Sequence, residues 1–230
     1  MEDKPKINMG DVGHAVAKGV LSGIPMAGGL ASEIFNLVIA PPLIKRRDEW
    51  MESIAKGLKE LEQKIEGFRI EELSKSDSFI TTVMHATQAA IRNHQKEKLE
   101  ALRNAVLNAA VLNAPEEDLQ MIFLNFVDTL THWHMRILKL FDNPIKWGQE
   151  NNIKWPNWEF GGLSSVLSHA FPEFRGRRDF YEQLFRDLFA RGLLNTESLE
   201  TTMTASGLFA SRTTEMGKEF INFITSPIKG

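Results

Sequence analysis

The chain has 230 residues, 43% of them apolar and 25% charged, which supplies a sizeable core for one large domain or two small ones without disulfides or metals. A formal charge of −3 leaves no basic footprint for a dedicated nucleic-acid binder. The absence of cysteine excludes disulfides, thiolate nucleophiles and cysteine-based metal sites, and it fits a reducing cytoplasm.

The opening MEDKPKINMGD is a mixed-charge polar tail, not the basic start of a signal peptide. A helical pattern begins near Asp11 with Val12, Val16 and Val20, and Gly23 and Pro25 stop it. A second helical run starts around Ala27 and continues through Ile34, Phe35, Val38 and Ile39 to Pro41-Pro42, where a kink or a fresh helix start is expected. From residue 19 to 44 the only charge is Glu33, and then Lys45, Arg46 and Arg47 arrive together.

This segment has the length of a membrane span, about 20 apolar residues. Its glycines and prolines cut it into two pieces, and Glu33 would sit near the middle. Three arrangements remain open: a buried hairpin, a membrane-contacting element, or a contact between copies of the chain. Ile24, Leu30, Ile34, Phe35, Leu37 and Ile39 are the candidate contact residues, with Lys45, Arg46 and Arg47 at the edge, placed to meet anionic headgroups.

Leu43 opens a long amphipathic helix to about Phe68, with Trp50, Ile54, Leu58, Leu61 and Ile65 every three or four residues. Glu52 with Lys56 and Glu60 with Lys64 have the favourable order for ion pairs. Ser76-Asp77 caps a helical region to Asn113, whose second half aligns Leu99, Leu102, Val106 and Ala109. Ala114-Pro115 restarts the chain into a helix to about Phe141, burying Leu119, Ile122, Phe123, Phe126, Leu130, Trp133, Ile137 and Leu140. On that helix Asp128 and His132, four apart, share a face and are weak candidates for a metal, while His134 points about 200° away from His132.

Residues 144–160, rich in Trp, Pro and Gly, form an ordered connector between a helical region (1–143) and a last unit (161–230). In that unit come a short helix from Ser164 to Ala170, a longer one with Phe180, Leu184, Phe185 and Leu188 stopped by Gly192, and two short strands around Ser206-Gly207. A final helix is capped by Thr213 or Thr214. The order is winged-helix-like, so the fold class is mainly α: a multi-helix bundle with a C-terminal winged-helix-like unit carrying a short β-hairpin. As a DNA-binding regulator, the alternative function, it would place Arg177, Arg178 and Arg186 on phosphates, yet residues 161–230 balance eight basic against eight acidic side chains.

No phosphate loop, nucleophile elbow or convergent ligand set is present in the sequence. The expectation is a non-enzymatic protein with no cofactor and no evident small-molecule substrate. Its expected partners are another protein, a second copy of itself or, conditionally, a membrane. Its expected place is the cytoplasm or the inner face of the membrane.

Several pieces together carry a likeness: the Gly-bearing apolar N-terminal segment with Ala40-Pro41, KLEALRNAV (98–106), F-L-N-x-x-D (Phe123 to Asp128), HMRILKLFDNP, and the tail T-E-M-G-K-E-F. In that order they resemble uncharacterised bacterial helical proteins, including the abortive-infection alpha family, whose tail has an L-T-x-x-G-K-x-F-type ending. The resemblance implies a bacterial, non-catalytic protein linked to phage resistance and supplies no catalytic residues.

Overall fold

A computed structural model describes residues 35–111 and 114–228, with the side chains of Phe35 and Asn36 left aside. The helix expected from Asp11 and the part of the Ala27 run up to Ile34, with the contact residues Ile24, Leu30 and Ile34, lie outside the described residues. The class is the expected one: mainly helical, with a small two-stranded antiparallel sheet toward the C-terminus. The chain divides into two compact units, Met1–Glu52 and Ser53–Gly230.

In the first unit a single π-helical turn, Phe35–Ile39, runs into helix α1, Ala40–Lys64, which continues past the unit's end. Pro41 and Pro42 sit in the first turn of α1, where a missing N–H costs no intrahelical bond, so the expected fresh start falls at Ala40.

In the second unit three helices, α2 (Asp77–Arg92), α3 (Lys96–Ala109) and α4 (Glu117–Thr129), pack on one another. The single region expected from Ser76 to Asn113 is two helices. Asn93 takes extended backbone angles and turns its side-chain amide back onto the carbonyl of Ala89, which ends α2. Ser76 caps α2 as expected, accepting from the N–H of Phe79 at 3.2 Å.

The helix expected to run on to Phe141 also breaks. Thr131 starts a new helix, α5 (His132–Asp142), in a reciprocal cap with His134. The break changes which faces are inward. Phe123, Leu130, Ile137 and Leu140 are buried, but Ile122 is 44% exposed.

Helix α6 (Pro144–Glu150) opens with proline, and the Asn143 side chain accepts from the N–H of Lys146 at 3.0 Å. The tryptophans that follow pack against other rings: Trp147 on Phe171 at 5.2 Å, and Trp155 on His169 at 5.6 Å. Then come strand β1 (Phe160–Gly162), α7 (Leu163–Ala170), α8 (Arg178–Ala190), strand β2 (Thr202–Thr204), the helical turn α9 (Ala205–Leu208) and α10 (Glu215–Phe223).

The hairpin expected around Ser206-Gly207 is not formed there. β2 pairs with β1, Phe160 opposite Thr204, across the whole α7–α8 stretch. The chain turns helical after Thr204 because its hydroxyl accepts from the N–H of Gly207 and the N–H of Ala205 is taken by Glu159.

The T-E-M-G motif closes the fold. Thr214 caps α10, accepting from the N–H of Gly217 at 2.9 Å and donating to the carbonyl of Gly192 at 2.6 Å. A Cβ on Gly217 would drive into the carbonyl oxygen of Leu193, so only glycine lets α10 lie this close. Gly192, at φ +72°, makes the left-handed turn that ends α8. Phe220 and Phe223 of α10 meet Phe123 at 5.4 and 5.7 Å and so join the tail to the helical core.

Candidate contact surface

Two kinds of polar group stand out, those satisfied inside the second unit and those left open along α1. The first kind centres on His134. Its Nδ1 accepts the main-chain N–H of Thr131 at 3.0 Å, which leaves the proton on Nε2, 3.4 Å from the carboxylate of Asp187 on α8. Burial holds the imidazole below its ordinary range, opposed by Asp187 and assisted by the cations Arg191 and Lys98. The Nδ1 lone pair is committed to a main-chain donor, so the ring is fixed as a joint between α5 and α8. The Thr131 hydroxyl lies 2.9 Å from the same nitrogen.

Lys98 is a second buried joint. Its ammonium donates to the main-chain carbonyl of Asp128 at 2.7 Å, at the C-terminal end of α4, where a cation is favourable. Burial lowers its pKa, and the Asp128 carboxylate opposes that shift.

A third joint comes from the LRNAVLN stretch. Asn104 donates to the carbonyl of Ile224 at 3.1 Å, and Asn108 to those of Phe223 and Thr225 at 2.8 Å each. Two asparagines of α3 thus cap the C-terminal end of α10.

The weak metal pair does not assemble. Asp128 belongs to α4 and His132 to α5, so they do not share a helix face. The Asp128 carboxylate holds Arg92 at 2.7 Å, and the ring of His132 lies 5.0 Å from that of Trp133. Among the described residues no three His, Asp or Glu side chains converge on a metal position.

The arginines named for DNA are largely engaged. Arg178 holds Glu182 at 2.6 Å and Glu200 at 3.3 Å, which raises its pKa, and Arg186 reaches Glu182 at 3.7 Å. The guanidinium of Arg177 lies over the ring of Phe180 at 4.3 Å. The charge that a phosphate would need is therefore partly spent inside the protein.

The second kind of surface begins at the N-terminal end of the described chain. Leu37, Val38 and Ile39 are 79%, 56% and 42% exposed, and Ile44 on the next turn is exposed too. The side chain of Phe35 is not described. Behind this apolar run the three cations divide. Lys45 reaches Glu49 at 3.6 Å and Arg47 is bound by Asp48 at 2.8 Å, while Arg46 has no ionic partner among the described residues. An open groove beside them is lined by Ala40, Pro41, Ile44, Lys45, Asp48 and Glu52. Among the described residues no helix is long and apolar enough to cross a membrane.

Sequence reasoning missed His134, Lys98 and the two capping asparagines. A T-x-x-H spacing before a helix is the one signal that pointed to the first. No protein-family model, no curated protein and no solved structure matches this chain.

Proposed function

We propose that this protein works by contact rather than by chemistry. In this account the apolar residues just ahead of α1 dock on an anionic membrane surface, with Arg46 at the headgroups, and the protein serves bacterial phage defence as a peripheral effector. The observation that carries the proposal is the unbroken exposed run Leu37-Val38-Ile39, placed two turns ahead of an arginine with no carboxylate of its own. Isolated exposed apolar side chains are ordinary, but three in succession beside a free cation suit an element lying in an interface. The phage-defence setting rests on the resemblance of the tail and the LRNA stretch to the abortive-infection alpha family.

The test is flotation of the full chain with vesicles of phosphatidylglycerol and phosphatidylcholine, against vesicles of phosphatidylcholine alone. Preference for the anionic vesicles, lost in Arg46→Glu and in Leu37→Asp/Ile39→Asp, is the expected result. The setting is tested by plating phage on bacteria with and without the gene. A plating efficiency unchanged by the gene removes the defence role.

A further inference from the structure

We infer that the outward face of α5, together with the arginine loop before α8, binds the phosphate backbone of a single-stranded nucleic acid. The inference goes beyond the membrane proposal and does not depend on it.

On α5 the side chains left at least partly open before Asp142 are His132, Trp133, Arg136 and Lys139. Spacings of four and three put His132, Arg136 and Lys139 on one face, over about 10 Å of helix, with Trp133 beside them. No acid interrupts that face. Asp142, at the end of the helix, accepts from the Thr213 hydroxyl at 2.7 Å.

The rings beneath tie a second set of cations to the same face. The guanidinium of Arg136 lies over the ring of Trp133 at 4.4 Å and over that of Phe171 at 4.7 Å. Trp133 meets Phe174 at 4.6 Å, and Phe174 meets Phe180 at 6.1 Å. Arg177 lies over Phe180 at 4.3 Å. One continuous stack of rings thus carries an arginine at each end, and Arg175 stands exposed two residues before the second.

A ring fixes a guanidinium without neutralising it. Arg136, Lys139, Arg175 and Arg177 have no carboxylate partner among the described residues. Arg92, Arg103, Arg178 and Arg186 each hold one. The acids of the loop, Glu173 and Asp179, are exposed and leave the face net positive.

Cations spread over this length fit a polyanion better than a small anion. Arg136 and Arg177 lie flat on rings, so each can offer its donors to a phosphate and its outer plane to a base. A duplex keeps its bases stacked and away from such planes, which favours a single strand. The chain's formal charge of −3 gives little long-range attraction, so binding depends on this face and falls steeply with salt.

The experiment is fluorescence anisotropy of labelled oligouridylate and oligodeoxythymidylate with the full chain at low salt. Both strands are expected to bind, with a log–log salt slope of about −2 to −3 for the four cations. A duplex of the same strand with its complement binds about tenfold more weakly. Lys139→Glu and Arg175→Glu, both at exposed positions, each weaken binding about tenfold and flatten the slope, with unchanged melts. Arg136→Lys keeps the charge but loses the plane, so affinity falls while the slope holds.

Lys75→Glu, an equal change of net charge on the exposed turn before α2, leaves binding unchanged. No binding of either strand at low salt, equal affinity for the duplex, or native affinity in both Lys139→Glu and Arg175→Glu would overturn the inference. So would binding of a labelled polyglutamate peptide in place of the oligonucleotides, which would assign the face to an acidic protein. Vesicle binding that falls in Lys139→Glu while oligonucleotide binding is absent would assign it to lipid headgroups instead.

Discussion

Helices α1 and α3 carry similar residue types and use them in opposite ways. In α3 the polar side chains that are buried, Lys98 and Asn104, each donate to a main-chain carbonyl at the end of another helix. In α1 Glu52 and Lys59 meet no ionic partner among the described residues, and an apolar stripe stays open beside them. The contrast separates two uses of the same residue types. Polar groups that hold the fold are those whose partners are already present. In the proposed reading, groups that wait for a partner mark the surface on which the protein acts.

Substitutions can break that contrast at either end. The largest effect belongs to α3. Leu102, fully buried, should cost about 2–5 kcal/mol as Leu102→Ala in a denaturant titration, with the slope unchanged.

Next comes His134→Gln, expected to destabilise by about 1–3 kcal/mol by removing the cap on Thr131 and the link to Asp187. It also changes the pH profile. The folded state holds this imidazole neutral below its ordinary range, so the unfolded chain takes up the proton first. The contribution is complete above about pH 6.5, declines as the pH falls below that value, and levels off once the folded ring is protonated too. Asp187, Arg191 and Lys98 set the balance at the ring. In His134→Gln this slope should vanish. A profile that keeps it would assign the titration elsewhere.

Asn108→Ala should cost about 1 kcal/mol, since the carbonyls of Phe223 and Thr225 lose their donor but lie near water. At the other end, Arg46→Glu should leave the melt within about 0.5 kcal/mol of native. If Arg46→Glu proved as costly as Asn108→Ala, the distinction between the two helices would fail.

Much of this architecture was legible in the sequence. The caps at Ser76 and Thr214, the stop at Gly192 and the helical class follow from local chemistry, which neighbours in sequence decide. The breaks at Asn93 and Thr131 were not legible, because both lie inside apolar periodicities that continue across them. The small sheet was misplaced for a related reason. Thr202–Thr204 has the composition of a strand, but its partner at Phe160–Gly162 is brought there by two intervening helices.

The contact surface was half legible. The apolar run and the three cations were visible, but only the fold shows that Asp48 and Glu49 engage two of them and leave Arg46. The buried joints gave little signal, because an asparagine or lysine that reaches another helix's last carbonyls looks in sequence like any other polar residue.

The central claim is that the open face at the start of α1 is where the protein meets its target. Flotation of the full chain on anionic vesicles, beside the Leu37→Asp/Ile39→Asp variant, tests it most directly. The account predicts that the native chain rises with the vesicles and the variant stays behind at an unchanged melting temperature. A native chain that stays behind, or a variant that rises equally well, would contradict it.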